Sequence, residues 1–120
     1  VSSPSGLRTA AQVSGASAED RAANHLERHG LRIIARNFRT RLGEIDLVAQ
    51  DRDVLVFVEV RMRASGSFGG ALESITPQKQ RRIRAAASQF LQRLGKEPRC
   101  RFDIVLVEGD EMRWMRAAFE

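Results

Sequence analysis

The residues of this sequence best suited to chemistry are three carboxylates, Glu19, Asp46 and Glu59. Asp46 lies in GEIDLVAQ and Glu59 in VLVFVEVRM, two segments with the β-branched content and flanking turns of strands. They are 13 positions apart, with a short polar turn at 51–53 between, so a hairpin would set them on neighbouring strands where they could meet on one face. Alternation puts Glu44 and Asp46 on one side of their strand and Ile45 with Leu47 on the other, while Glu59 and Arg61 share a side with Leu55 and Phe57. A carboxylate inside LVFVEV is costly to bury unless a cation or strong hydrogen bonds offset it. Glu19 can join from a helix, because it precedes Ala22, Ala23 and Leu26 by three, four and seven residues and so lies on their apolar stripe. Three hard oxygen donors suit Mg²⁺ or Mn²⁺, an ion that activates water and offsets the charge building on a phosphate. The plainer alternative is that Glu59–Arg61 and Asp46–Arg pairs only satisfy one another beside a core.

The charge distribution suggests what such a site would act on. The 120 residues carry a formal charge of +5, with 18 Arg and only two Lys, Lys79 and Lys96. Residues 1–75 are nearly balanced at +1 and residues 102–120 are at −3, whereas residues 76–101 hold eight basic groups and only Glu97, a net of +7. A local excess of that kind fits a docking surface for a polyanion, with Arg81, Arg82 and Arg84 as backbone contacts. A solvated helix face in an Arg-rich chain is the alternative. Lys79 precedes Ile83 by four and Ala86 by seven residues, which places it on the inward stripe of its helix.

Other features carry less. His25 and His29 have a chelating spacing but no acidic or thiol third ligand beside them in sequence, so a solvent-facing pair is the simpler expectation. Asp103 could support the site or simply pair with Arg101. One cysteine, Cys100, excludes an internal disulfide framework and fits a reducing cytosol. No secretory signal is visible, and the longest apolar run, Val54–Val58, is far too short to cross a bilayer, so a cytoplasmic protein away from membranes is expected. Without Tyr and with Trp114 alone, an aromatic base-stacking platform is disfavoured, although six Phe leave that open.

The elements that must position these groups can be read along the chain. Residues 1–16 are small and polar, a flexible tail, and residues 17–120 make a single domain. Ser17 can cap a first helix that ends at Gly30. Strands follow at 31–38, 44–50 and 54–62, the third apolar on both faces and therefore covered on both. A loop with Gly66, Gly69 and Gly70 leads to Thr76-Pro77, an N-cap and first-turn proline, and to a helix with Ile83, Ala86, Ala87, Phe90, Leu91 and Leu94 on one face. Strands at 102–107 and 112–118 complete the order α-β-β-β-α-β-β, an α/β sandwich around a mixed sheet.

GEIDLVAQ, VFVEVRMR, FGGALESITPQKQRRI and RFDIVLV, with AEDRAANHLERHG and RNFRTRLGEIDL, resemble the YraN-like family of uncharacterised bacterial proteins over about residues 18–120. That family is similar in fold and active-site pattern to the restriction-endonuclease-like PD-(D/E)XK nucleases, including archaeal Holliday junction resolvases. The resemblance implies a restriction-endonuclease-like mixed β-sheet flanked by helices, and a divalent-metal-dependent endonuclease acting on DNA, including branched or junction DNA. It implies Asp46 as the motif aspartate, Glu59-Val60-Arg61 as the E-x-K segment, and Asp46, Glu59 and the Val60 carbonyl as metal ligands, with Glu19 in the place of the first-helix acid. A homodimer would suit the cutting of both strands of a junction, by the same analogy. The sequence departs from the pattern at Arg61, where the motif has lysine. Arg is always protonated and makes a poor base, so Arg61 is either an electrostatic substitute or a mark of lost catalysis in a nucleic-acid-binding or protein-interaction module that kept the fold. Lys79 is the third possibility, a lysine supplied from the neighbouring helix.

Overall fold

In a computed structural model, which describes residues 10–63 and 75–120, two helices and five strands follow in the order α1 (Ala10–Arg28), β1 (Arg32–Arg39), β2 (Glu44–Asp51), β3 (Val54–Arg63), α2 (Pro77–Leu94), β4 (Arg99–Glu108) and β5 (Glu111–Phe119). The order and the α/β class are those expected from the sequence. Helix α1, however, begins at Ala10, seven residues before the expected cap at Ser17. Ala10, Ala11 and Gln12 are strong helix formers, and once a helix exists each added residue costs little. Residues 1–9 of the expected tail and the glycine-rich loop at 64–74 lie outside the described residues.

The strands lie side by side in sequence order, β1-β2-β3-β4-β5. Neighbours pair antiparallel except β3 and β4, which run parallel because α2 carries the chain back between them. Both faces of the sheet are covered, as the doubly apolar β3 requires. On one face Ala18, Ala22, Ala23 and Leu26 of α1 pack on Leu47, Ala49, Val56, Val58 and Val105. On the other, Ile83, Ala86 and Ala87 of α2 pack on Ile45, Val48, Leu55, Phe57 and Ile104. Helix α2 starts where expected, the Thr76 hydroxyl accepting from the Lys79 N–H at 3.1 Å, and Gly95 ends it at φ 74°. Leu94, expected on the buried stripe, is the last helical residue and stays 40% exposed.

One departure from regular alternation matters for the site. Ile45 belongs to the α2-side core and Leu47 to the α1-side core, so the two do not share a face as expected. The break falls at Asp46, between them. Its neighbour across β1, from the pairs Arg36↔Leu47 and Phe38↔Ile45, is Asn37, which has φ 54°. A left-handed residue in one strand changes the local twist and re-aims the side chains around it, as bulges do. Asn tolerates that conformation better than most residues.

At the β4–β5 border a second irregularity is fully satisfied. Asp103, 0% exposed, accepts from Arg101 Nε (2.9 Å) and Nη2 (3.0 Å), Trp114 Nε1 (2.9 Å) and the Ala117 N–H (2.9 Å). Ala117 has φ 51° beside a register shift in the ladder, and the Asp103 carboxylate takes up the N–H there. Of the two roles open to Asp103, the structure realises the pairing with Arg101. Asp103→Ala leaves the Trp114 and Ala117 N–H donors without their acceptor and Arg101 with Asp51 alone, so we expect a loss of about 3 kcal/mol in urea unfolding; a loss below about 1 kcal/mol would contradict this role.

Candidate active site

The β2–β3 ladder runs from Asp51↔Val54 to Leu47↔Val58. The next position in that register would set Asp46 opposite Glu59, and there the strands part. The Val60 N–H, instead of continuing the ladder, donates to Asp46 Oδ2 at 2.8 Å. In an extended strand a residue's N–H and C=O point to the same side, so the Val60 carbonyl lies on the same edge of β3 as that N–H. The hairpin therefore delivers its two acids side by side at the end of the paired region, within hydrogen-bonding reach of one another.

These acids line a cleft of about 670 Å³ between the C-terminal part of β3, the β1–β2 connection and the first turns of α2. The connection is held rigidly. Thr40 Oγ1 accepts from the Leu42 and Gly43 N–H groups, and the Thr40 N–H donates to the Gly43 carbonyl at 2.8 Å. Gly43 abuts the main chain of Arg82, where a Cβ would overlap the Arg82 carbonyl. Glycine is thus required for close approach of hairpin and helix, and that approach sets the width of the cleft.

Glu59 is 7% exposed and meets two cations on one oxygen: Lys79 Nζ lies 2.9 Å and Arg61 Nη1 3.6 Å from Oε2. The inward position inferred for Lys79 from helical spacing is realised, with the ammonium directed at the carboxylate. Arg61 and Lys79 reach the same atom from different elements. Asp46 has no such cation among the described residues. Burial and then the charge of Glu59 push its carboxyl from the ordinary 3.8 up to about 7, against the Val60 hydrogen bond, which favours the ionised form. Glu19, partly buried on α1, is hydrogen-bonded by Asn37 and close enough to add its charge to that acting on Asp46. Burial raises Glu19 as well. Glu19 is outside the cleft lining, so the acids meet as a pair with a third at the back.

Among the described residues, no group of three or more His, Cys, Asp or Glu side chains stands close enough to hold a metal ion. The donor chemistry nonetheless fits a hard divalent cation: two crowded carboxylates with their charge incompletely offset, and a main-chain carbonyl turned to the same side. The three basic residues assigned to nucleic acid separate. Arg82 lines the cleft, Arg81 is exposed outside the cleft lining, and Arg84 Nη1 donates to the Glu120 carbonyl at 2.5 Å, also outside it. Arg39, Thr40, Thr76 and Gln78 also line the cleft without having been singled out for it, as does Glu44, which alternation sets on the Asp46 side of its strand. The first four have only position as a signal, next to the hairpin turn or the helix cap.

The histidine pair lies elsewhere. The His25 and His29 ring centroids are 4.5 Å apart, each ring edge-on to Trp114, and His29 Nδ1 shares a 2.8 Å hydrogen bond with the His25 carbonyl. No helix among the described residues is long and apolar enough to cross a membrane.

The model of the uncharacterised protein family UPF0102 matches residues 18–107. The chain belongs to UPF0102. A UPF0102 protein of Herminiimonas arsenicoxydans is 52% identical over 113 residues, 94% of this chain and 91% of its own. One from Dechloromonas aromatica is 57% identical over 106 residues, covering 88% and 87%. Another, from Paracidovorax citrulli, is 53% identical over 117 residues, covering 94% and 87%. The YraN-like resemblance is thereby borne out, and the UPF0102 match takes in the acids, Lys79 and Arg82 while ending before β5.

The raised Asp46 carboxyl sets a pH dependence for the metal-free UPF0102 protein. A group that holds its proton more tightly when folded stabilises the fold fully below its unfolded value, near 3.8, and that contribution is lost as pH rises through about 7. In chelator, stability should therefore fall across that window, and Asp46→Asn should flatten the fall. An unchanged slope in the variant would assign the effect to other groups.

Proposed function

We propose that this UPF0102 protein is a divalent-metal-dependent endonuclease acting on DNA, branched or junction DNA included. The observation that carries the reading is the Asp46–Glu59 pair in a cleft walled by cations, with the Lys79 ammonium 2.9 Å from Glu59. The pair of acids at the end of a hairpin, with the Val60 carbonyl beside them, is the arrangement that the PD-(D/E)XK resemblance implies.

Mg²⁺ or Mn²⁺, held by Asp46, Glu59 and the Val60 carbonyl with Glu19 behind, would supply the charge that makes water a nucleophile near neutral pH and offsets negative charge on the phosphate. Phosphodiester hydrolysis forms one bond from water oxygen to phosphorus and breaks the bond to one bridging oxygen, which leaves with a proton. Lys79 can orient the water or a phosphate oxygen through its three N–H donors, and Arg61 can clamp a non-bridging oxygen. The first turn of α2 adds its positive dipole end to the same wall. Arg82 and Arg81 hold the sugar-phosphate backbone, which gives affinity without sequence preference. Arg39, at the other wall, extends that track.

A second reading, a nucleic-acid-binding module without chemistry, is favoured by Arg61 in place of the motif lysine. Cleavage of branched, flap and linear DNA with Mn²⁺ separates the two. We expect cutting that falls at least about a hundredfold in Asp46→Ala and in Glu59→Ala, two direct metal contacts of the kind worth several kcal/mol. Cutting that survives both substitutions rules out this site, and salt-sensitive binding without cutting favours the second reading. Arg82→Ala should weaken binding evenly across sequences and lower the salt slope by about one phosphate contact.

A further inference from the structure

The pairing of Lys79 with Glu59 raises a question that the proposed function leaves open, namely what compensates the acids before a metal arrives. Lys79 Nζ and Arg61 Nη1 both address Glu59 Oε2, at 2.9 and 3.6 Å. The two cations are not equivalent. Arg61 is the more distant and projects from a strand paired along its length with β4. Lys79 is the closer, and its backbone is fixed by the Thr76 cap, while its side chain is 40% exposed on a flexible stem with room to swing into the cleft. An ammonium at 2.9 Å from Oε2 takes a coordination direction of that oxygen. A divalent ion bound to Glu59 would repel an ammonium held so near, because the two carry charge of the same sign.

We propose that Lys79 is a resident counter-ion of the Asp46–Glu59 pair that a divalent metal must displace, so that metal occupancy and the release of Lys79 toward the substrate phosphate are one coupled event. This rests on the metal-dependent reading above and specifies how the same site is regulated. In the metal-free protein Lys79 quiets the acids and stays off the substrate. With the acids occupied, Lys79 loses its partner and is free to meet a phosphate oxygen in the cleft. Because coupling is reciprocal, the lysine that metal binding releases must itself weaken metal binding.

The experiment is a Mn²⁺ titration of the DNA-free protein, followed by the electron paramagnetic resonance of free Mn²⁺. Lys79→Met should bind Mn²⁺ about fivefold tighter or more, the lower end of typical coupling between sites, and Lys79→Gln should do the same. Lys79→Arg, which keeps the charge, should bind within about twofold of wild type, and Glu59→Gln should remove the site with or without Lys79. Arg82→Gln removes another cation from the cleft wall that does not touch Glu59, and should shift the affinity by less than about twofold. Equal or weaker binding by both neutral Lys79 variants overturns the proposal, as does an equal gain in Arg82→Gln, which would mean general charge rather than displacement. If wild type binds Mn²⁺ and cuts DNA while the Lys79 variants show no gain, the counter-ion role fails and the nuclease reading stands. If no variant binds Mn²⁺, both fail.

Discussion

Two carboxylates held within hydrogen-bonding reach of one another at the end of a hairpin are the constraint to which the rest of the site responds. The β2–β3 ladder stops where they meet. The Val60 N–H leaves the ladder to serve Asp46, and two cations converge on a single oxygen of Glu59. Burial, and after it the charge of Glu59, push the Asp46 carboxyl up to about 7. A group so placed gives up stability at neutral pH, and groups shifted in this way cluster at functional sites.

The contrast with Asp103 shows that the chain can bury a carboxylate without this tension. Asp103 is more deeply buried than Glu59, yet Arg101, Trp114 and the Ala117 N–H together satisfy both of its oxygens. It answers a structural need, the irregular β4–β5 register. Its partner across the β3–β4 ladder is Val58, which packs against α1, so Asp103 lies on the opposite side of the sheet from the cleft. A buried acid with every lone pair taken is part of the scaffold; a buried acid crowded by another is available for chemistry. Glu59 is the very next residue after Val58, and nothing in local composition distinguishes the two kinds of acid.

The basic charge also resolves into separate tasks. Along α2, Arg93 lies 5.2 Å over the Phe38 ring, Arg84 is tied to the Glu120 carbonyl, and Lys79 is committed to Glu59. Arg101, at the far end of the same basic segment, belongs to the Asp103 network. Of the basic residues on α2, only Arg82 is both exposed and part of the cleft lining. The +7 segment is therefore not one patch. An 18-residue helix is about 27 Å long, and its charges are distributed along that length and around its circumference.

Element order is legible in the residues alone: in the β-branched runs of β2 and β3 and the polar turn between them, in Thr76-Pro77 and Gly95 around α2, and in Gly30 after α1. Caps and turns are local and depend on a few neighbouring residues. The meeting of Asp46 with Glu59 is legible for the same reason, since a tight hairpin fixes register. Helical spacing alone turns Lys79 inward. The start of α1 is not legible, since Ser17 offers a good cap but Ala10–Gln12 cost little to add. Nor is the inversion at Asp46, which lies opposite Asn37, a residue of another strand with a left-handed backbone. The residues of the cleft wall, Arg39 and Gln78 among them, come together only when the Gly43 turn packs on Arg82. The sequence by itself determined which acids the chain could present and on which elements. Only the tertiary structure decided which of them carry unrelieved charge and which cations reach them, because electrostatic compensation depends on distances of a few ångströms between elements far apart in the chain.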